Sequence, residues 1–383
     1  MTQTKLLLSF LIMLMLSACI KPFTPNIDGA AASKVVVSGR ITNVEGFQTI
    51  VLSKSIPLND KVYENLSGCS VSIWDENDHE FVLNEFEEGK YHVWMNGEDL
   101  IIGRAYHLII TTPEGEKLVS SPDVLTQVGD ANLPGFKLDS IYNGAYNYYT
   151  RGIQFFVDVR GNENTSPYYL FEIDATYEHH AKYAREWYYN GSIHHIYPPD
   201  SSLMYCWTTF RVPEIVTLST ENLSANEFNN FPLYFVPLNR DYLTFGYSLL
   251  LRQVGLSREA FLYWEMVRLN NNQNADLYSK QPVDTEGNLK NTTNPEKEVL
   301  GFFSASAISE KRLFIEPMPT NPYPDCVPWP LDRLGLREIS RTDYPAFLMN
   351  NPFGTYFLIW LPNACVDCSF DHGSTQKPEF WPY

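Results

Sequence analysis

The sequence is poor in positive charge. Lys and Arg number 28 against 45 Asp and Glu, so the 383-residue chain has a formal net charge of −17 at pH 7. Proteins that bind nucleic acids carry basic patches that neutralise phosphates, and this sequence contains no such cluster. The charge balance therefore excludes a nucleic-acid partner. An acidic surface also repels anionic lipid headgroups, so attachment to a membrane requires another device.

Long apolar runs are scarce as well. One run spans positions 6–16, directly after Lys5, and no later stretch approaches the length of a membrane span. A run of this length is typical of a signal peptide, and it is too short to cross a hydrocarbon layer of about 30 Å as a helix. The N-terminus therefore predicts export from the cytoplasm.

The apolar run ends in the letters LSAC, with the cysteine at position 19. Small residues before a cysteine at this point resemble the lipobox of bacterial lipoproteins. In that class the preceding peptide is removed, and the cysteine carries diacylglycerol and acyl chains such as palmitate. An ordinary signal peptide with a chance cysteine is the alternative. We expect a signal peptide at 1–18, lipidation of Cys19 and a tether at 19–33, because several acyl chains anchor a protein stably.

Sequence signatures of catalysis are missing too. The chain has no nucleophile elbow, P-loop, glycine-rich dinucleotide turn or HExxH motif. Its densest potential metal ligands are two histidine pairs, His179-His180 and His194-His195. Neighbouring residues on a strand point to opposite faces, so each pair gives at most one ligand per face. We expect no catalytic residue, no metal site and no cofactor.

Aromatic residues, by contrast, are abundant, with 24 Tyr and 23 Phe. Such residues favour strands, where flat side chains pack on a pleated surface. Short strand patterns with turns every 8–12 residues run from 34 to 125, which predicts a β-sandwich. Within it, Val71 and Ile73 alternate with polar residues before an Asn-Asp turn, as in a hairpin. The segment 124–134 connects this sandwich to a larger β-rich domain at 136–383.

One helix is expected within the larger domain, from Ser257 to Asn270. Ser257 is a favourable N-cap, and Glu259 lies in the first turn, where negative charge suits the helix dipole. Ala260 and Trp264 fall on one stripe, which predicts packing against a sheet. The predicted fold class is therefore mainly β, with an N-terminal Ig-like or transthyretin-like β-sandwich followed by a β-rich domain with at least one packed helix.

Cysteines are few, and outside the cytoplasm thiols tend to form disulfides. Besides Cys19 and Cys69, the chain has four, all in its second half: Cys206, Cys326, Cys365 and Cys368. Four cysteines allow three connectivities, and the sequence does not choose among them. A redox centre would need a helix after the CxxC pair, and a zinc site containing His372 would need a further ligand. We interpret the four as a covalent lock on the C-terminus and Cys69 as a buried free thiol.

The segment 186–205 is rich in aromatic residues and turn formers, and we predict that it is a long loop. Aromatic rings on loops stack on sugars or anchor protein partners. The binding candidates are Trp187, Tyr188, Tyr189 and Tyr197. The alternative is that the loop packs its rings into its own domain.

Several stretches together resemble one known family. They are the lipobox, VVVSGRIT, GCSVSIWD, EGKYHVW, LGFFSASAISEKRLFI and CVDCSFDHGSTQKPEFW. In this order they resemble the DUF4249 lipoproteins of Bacteroidota over essentially the whole mature chain. The first domain alone also resembles carboxypeptidase-regulatory-like sandwiches. The resemblance implies an outer-membrane lipoprotein. Genes of this family often lie beside those of TonB-dependent transporters, which suggests a transporter or another envelope protein as partner.

Two local features bear on this resemblance. Exported surface lipoproteins of the phylum often carry acidic residues just after the lipidated cysteine, whereas the first acidic residue here is Asp28. The sequence therefore does not decide between the cell surface and the periplasmic leaflet. Asp139-Ser140-Ile141 matches a short O-glycosylation motif of the phylum, with a strand start as the alternative.

No catalytic residue follows from the resemblance, because the function of the family is unknown. We expect a non-enzymatic binding or accessory subunit of an envelope complex. An assembly factor for outer-membrane proteins is one alternative. A surface glycan hydrolase that uses the region of Glu178 and Glu186 is another.

Overall fold

A computed structural model describes residues 33–56, 64–144, 147–271, 285–319, 326–330, 335–350 and 358–382. The strands in these ranges are β1 (Val35–Ile41), β2 (Gly46–Lys54), β3 (Glu64–Asn65), β4 (Ser70–Asp75), β5 (Glu80–Glu87), β6 (Lys90–Met95), β7 (Ala105–Thr111), β8 (Lys117–Ser120), β9 (Asp123–Val124), β10 (Ala131–Asn143), β11 (Tyr148–Arg160), β12 (Tyr168–His180), β13 (Arg185–Tyr189), β14 (Ile193–Asp200), β15 (Tyr205–Arg211), β16 (Val216–Ser219), β17 (Glu227–Pro237), β18 (Tyr247–Gly255), β19 (Leu289–Asn291), β20 (Val299–Ala305), β21 (Ile308–Ile315), β22 (Trp329–Pro330), β23 (Ala346–Asn350) and β24 (Leu358–Leu361). The α-helices are α1 (Arg258–Asn271) and α2 (Gly335–Glu338). The expectation of a mainly β fold is confirmed.

The first sheet is long and curls around its own core. Its strand order is β19-β8-β7-β4-β5-β6-β2-β1-β20, with β3 added to β2 and β9 to β7. Residues such as Val37, Ile50, Ile73 and Leu108 are fully buried and fill the interior. The predicted hairpin is present as β4 and β5, in which Val71 lies opposite Leu83.

Two strands from late in the chain complete this first sheet. β20 pairs with β1 in parallel, and β19 pairs with β8. The first sheet therefore draws on residues 289–305 as well as on the 34–125 segment expected to form it alone. Gly301 makes the pairing with β1 possible: its φ is +98°, and a Cβ there would lie 1.8 Å from the Val37 carbonyl oxygen.

The second core lies between two smaller sheets. One has the order β10-β11-β17, and the other has the order β15-β12-β18-β21, with β16 also on β12. Alternate residues of β12, among them Phe171 and Ile173, face Phe155 and Val157 of β11. The intervening residues Tyr168 and Leu170 point to the opposite face.

Helix α1 packs on that opposite face. The Ser257 hydroxyl caps its N-terminus by accepting a hydrogen bond from the Ala260 N–H at 3.1 Å. Ala260 is fully buried, and Phe261 and Trp264 pack beside it against β12 and β18. The predicted helix is thus confirmed within one residue at each end. In the part of the chain that the structure describes, no helix is long and apolar enough to cross a membrane.

Charged side chains bridge the first sheet to the second core. Arg40 of β1 donates to the Glu172 carboxylate of β12 at 2.8 Å, and both side chains are mostly buried. Burial by itself raises the pKa of Glu172, but the guanidinium groups of Arg40, Arg211 and Arg252 hold it below its usual value. The carboxylate therefore stays ionised and ties the two parts of the fold together.

Candidate functional site

The proposed lipidation site, Cys19, lies outside the described residues, as do the signal peptide and nearly all of the tether. Lipidation therefore stays a prediction.

The four predicted cysteines form two disulfides. Cys206 of β15 is bonded to Cys368, with their Cα atoms 5.6 Å apart, and Cys326 is bonded to Cys365, with 4.9 Å between Cα atoms. The two cysteines of the CxxC pair therefore have different partners, an arrangement that differs from both a redox pair and a zinc site. Cys69 is free and lies just before β4, partly rather than fully buried. Burial raises its pKa to about 11.

Hydrogen bonds hold the C-terminal tail beside the disulfides. Trp207 and Ser374 exchange two backbone hydrogen bonds, of 2.8 and 2.9 Å. The buried Trp381 donates from its indole nitrogen to Glu178 Oε2 at 2.8 Å. The other oxygen of Glu178, Oε1, lies 2.6 Å from His180 Nε2. Glu178, a candidate of the hydrolase alternative, thus contacts the tail through one carboxylate oxygen and its own strand through the other.

The histidine pairs are engaged in ring stacking and hydrogen bonds. The ring of His180 stacks on Phe245 at 3.7 Å, and that of His194 stacks on Tyr188 at 4.7 Å. His179 Nε2 is 3.0 Å from the Thr208 hydroxyl. Among the residues that the structure describes, no group of three or more His, Cys, Asp or Glu side chains is arranged to hold a metal ion.

The aromatic segment 186–205 is a β-hairpin for most of its length, so its prediction as a long loop is wrong. β13 and β14 pair with each other, and β13 also pairs with β23. They belong to a five-stranded sheet in the order β14-β13-β23-β24-β22. The dipeptide Asn190-Gly191, with Gly191 at φ +108°, lies at the turn. Asn-Gly between aromatic runs is a strong hairpin signal that would have predicted the turn.

The four aromatic candidates differ in exposure. Trp187, Tyr188 and Tyr189 are partly buried in the sheet, whereas Tyr197 is 84% exposed. Trp187 stacks on His195 with 4.0 Å between ring centroids. Three of the four candidates therefore pack within their own sheet, as the alternative interpretation of this segment had it.

Aromatic side chains form a row across this sheet. Each strand contributes one residue, and each residue lies directly opposite the next. Their order across the sheet is His195, Trp187, Leu348, Trp360 and Trp329. Directly opposed residues of antiparallel strands share a face, so the row crosses all five strands on one side. Trp329, at its end, is 61% exposed.

An open cleft lies where β23 begins and β24 ends. Its volume is about 890 Å³. Four aromatic side chains line it: Tyr344, Phe347, Trp360 and Phe370. Polar groups lie between them, notably Asp343, Asn363 and Asp367. No sequence pattern points to this cleft, because its residues come from three separate stretches of chain.

A second feature that the sequence analysis missed is a projecting ribbon. β10 and β11 pair without interruption from Gly135 opposite Phe156 to the hairpin end at Asn143 opposite Tyr148. The neighbouring strand β17 accompanies β11 only as far as Gly152. Residues 140–144 and 147–151 therefore extend past the end of β17 as two strands. Together with residues 136–139, which lie on the edge of the sheet opposite 152–155, they are here called the arm.

One face of the arm carries exposed apolar side chains. On one face, Phe136, Leu138, Tyr142 and Tyr149 continue the stripe that begins with the fully buried Ile153. Leu138 is 67% exposed and Tyr149 is 68% exposed. The row of side chains that faces the second core thus continues onto the arm, where nothing in the described part of the chain covers it.

Ser140 of the proposed glycosylation motif is exposed on this arm. It lies within β10 rather than at the start of a strand.

Comparison with known protein families gives one match. The family described as "Domain of unknown function (DUF4249)" matches residues 20–312. No curated protein matches the chain. The family match covers well over half of the chain and includes the first sheet, most of the second core and the arm, so the protein belongs to the DUF4249 family.

Proposed function

We propose that this protein is a non-enzymatic, lipid-anchored accessory subunit of a complex in the bacterial outer membrane, and that its arm docks on a TonB-dependent transporter. The N-terminal letters LSAC support the anchor. The envelope setting rests on this N-terminal motif and on the resemblance to lipoproteins. The observation that carries the docking proposal is the arm, an exposed apolar ribbon with Leu138 and Tyr149 on its surface.

An uncovered arm of this kind is costly unless a partner binds it. Two-stranded ribbons are marginally stable alone, and exposed edge strands with apolar side chains invite pairing with other chains. Tyr residues are also enriched among the anchors that dominate interface energies. In the arm, Tyr142 and Tyr149 face each other with ring centroids 5.1 Å apart. A partner strand beside β10 would cover this surface and complete the sheet.

A lipid anchor adds to this interaction. Tethering two proteins to one membrane raises their effective concentration, so a modest arm contact suffices for stable association. The aromatic candidates Trp187 and Tyr189 are less suited to this contact because they are partly buried. We expect Trp187→Ala with Tyr189→Ala to lower the melting temperature rather than to weaken partner binding alone.

The test is co-purification from detergent-solubilised envelope, with the transporter identified by mass spectrometry. Leu138→Ala with Tyr149→Ala removes two exposed side chains of the arm. We expect at least tenfold less transporter in the eluate, because 1.4 kcal/mol corresponds to one decade and a single anchor often contributes about 2 kcal/mol. The melting temperature should stay unchanged, since neither side chain is buried.

A matched control comes from the first sheet. Phe47→Ala with Trp94→Ala removes two exposed aromatic side chains, which are 59% and 51% exposed, far from the arm in sequence. This control should retain the transporter. Equal loss in both variants, or no loss in the arm variant, would refute the docking surface. Capture of many unrelated outer-membrane proteins in similar amounts would favour the assembly factor instead.

A further inference from the structure

The cleft has two walls of different origin. One wall comes from β24 and from the chain around the start of β23, and it includes Tyr344, Phe347 and Trp360. The other wall follows β24 and runs from Pro362 to Phe370. The volume of about 890 Å³ lies within the range of about 300–1,000 Å³ that small-molecule sites occupy. The cleft is therefore large enough for a ligand of several rings.

The second wall is fixed by both disulfides. Cys365 and Cys368 are bonded to Cys326 and Cys206, so the residues between them are tied to two different parts of the chain. Of those residues, Val366 is buried and Asp367 lines the cleft. The covalent lock thus holds a polar side chain at the edge of the cleft.

Asp367 is also held by hydrogen bonds. Its Oδ1 accepts from the Ser369 backbone N–H at 2.8 Å and from the Ser369 hydroxyl at 2.6 Å. These bonds fix the carboxylate in one orientation. A polar group with a fixed orientation is what directional recognition of a ligand requires.

The chemistry of the lining favours an uncharged, polyhydroxylated ligand. Aromatic faces carry partial negative charge and attract the polarised C–H groups on one side of a sugar ring. The carboxylates of Asp343 and Asp367 and the amide of Asn363 offer hydrogen bonds to hydroxyl groups. The guanidinium of Arg185 forms an ion pair with Asp200. The cleft therefore has an acidic balance that repels anions.

The same geometry disfavours an extended peptide. Peptides that add to a sheet pair with an edge strand. In this sheet the edges are β14 and β22, whereas the cleft is lined by the interior strands β23 and β24. The backbone groups of those strands already bond to their neighbours.

We propose that this cleft is a binding site for a neutral oligosaccharide. Trp360 stacks on a sugar ring, and Asp367 and Asn363 exchange hydrogen bonds with ring hydroxyls. The site requires only binding, with no bond made or broken. It is separate from the arm, so each proposal can fail without the other.

The experiment is isothermal titration of the purified full-length chain without its signal peptide. The probes are three neutral hexasaccharides (cellohexaose, maltohexaose and chitohexaose) and one anionic hexasaccharide, hexagalacturonate. We expect at least one neutral probe to bind and hexagalacturonate to give no heat. Trp360→Ala should weaken that binding at least tenfold. Asp367→Asn, which keeps an oxygen to cap Ser369, should weaken it severalfold with the fold intact.

The matched control is Trp94→Ala, which removes an exposed tryptophan of the first sheet. It should bind the sugar with unchanged affinity. Absence of binding by all three neutral probes would overturn the proposal, as would binding that Trp360→Ala leaves unchanged. A third outcome would assign the cleft to a protein partner. In that case the parent chain binds no sugar, and an envelope protein that co-purifies with the parent is lost from pull-downs of Trp360→Ala.

Discussion

The covalent lock makes a quantitative prediction about stability. The Cys206–Cys368 disulfide closes a loop with a sequence separation of 162, and Cys326–Cys365 closes one with a separation of 39. In the chain-entropy account, a crosslink destabilises the unfolded chain by an amount that grows with the logarithm of loop length. This gives roughly 5 kcal/mol for the longer loop and roughly 4 kcal/mol for the shorter one.

The perturbation is replacement of each pair by alanine. The variant without Cys206 and Cys368 should lose more stability than the variant without Cys326 and Cys365, by about 1 kcal/mol. Truncation adds a cavity cost in both variants, because Cys206 and Cys368 lie in one buried cluster and Cys365 lies in another. The assay is urea unfolding of the mature domain, followed by tryptophan fluorescence.

Cys69→Ala is the matched control, because it removes a partly buried cysteine that closes no loop. Its effect should stay within about 1 kcal/mol. Equal unfolding midpoints for the parent and both double variants would show that the disulfides do not stabilise the fold. So would peptide mapping under non-reducing conditions that finds all four half-cystines as free thiols.

The remaining predictions concern single sites. Gly301→Ala should abolish soluble expression or lower the melting temperature sharply, since its Cβ would lie 1.8 Å from the Val37 oxygen; soluble protein with an unchanged melting curve would contradict this. The folded-state pKa of Glu172 is depressed, so its contribution to stability is present above its unfolded pKa of about 4.3 and is lost as pH falls through the folded pKa. Between pH 6 and pH 3, the free energy of unfolding measured with urea should therefore fall less in Arg40→Gln than in the parent. An identical pH dependence in both proteins would argue against the bridge between Arg40 and Glu172. Cys69, with its pKa raised to about 11, should react slowly with iodoacetamide at pH 7.5 in the folded protein and rapidly after unfolding, and fast labelling of the folded protein would contradict its burial.

Local features of the fold could be predicted from the sequence because their signals are local. The alternation around Val71 and Ile73 specifies a hairpin, and Ser257 specifies the start of α1. The aromatic hairpin at 186–205 was mispredicted because Pro, Gly and Ser in that segment outweighed its strand-forming rings. Its Asn-Gly dipeptide was the stronger signal.

Non-local pairings could not be predicted in the same way. The match of β20 to β1 joins residues more than 250 positions apart, and strand composition alone does not specify a partner. Four cysteines allow three disulfide connectivities, and only the positions of β15 and the C-terminal tail in the fold distinguish them. The arm has the alternation of an ordinary strand pair. The arm is unusual because β17 ends before β10 and β11 do. No pattern in the sequence of β10 or β11 reveals where β17 ends.

The cleft escaped detection for a related reason. Its residues come from β13, from the β23 region and from the wall held by Cys365 and Cys368. No two of these stretches carry a shared motif, and only folding and disulfide formation bring them together. The CxxC pair marked the region as important, but its role in shaping a cleft depends on partners at Cys206 and Cys326.

Site-specific photocrosslinking in intact cells shows directly whether the arm contacts a transporter in the outer membrane. A photoreactive phenylalanine analogue at Tyr149, at the exposed end of the arm, should give an adduct with a TonB-dependent transporter, identified by mass spectrometry. The same analogue at Trp94, in the first sheet, should give none. Absence of any adduct from Tyr149, or the same adduct from both positions, would contradict the account.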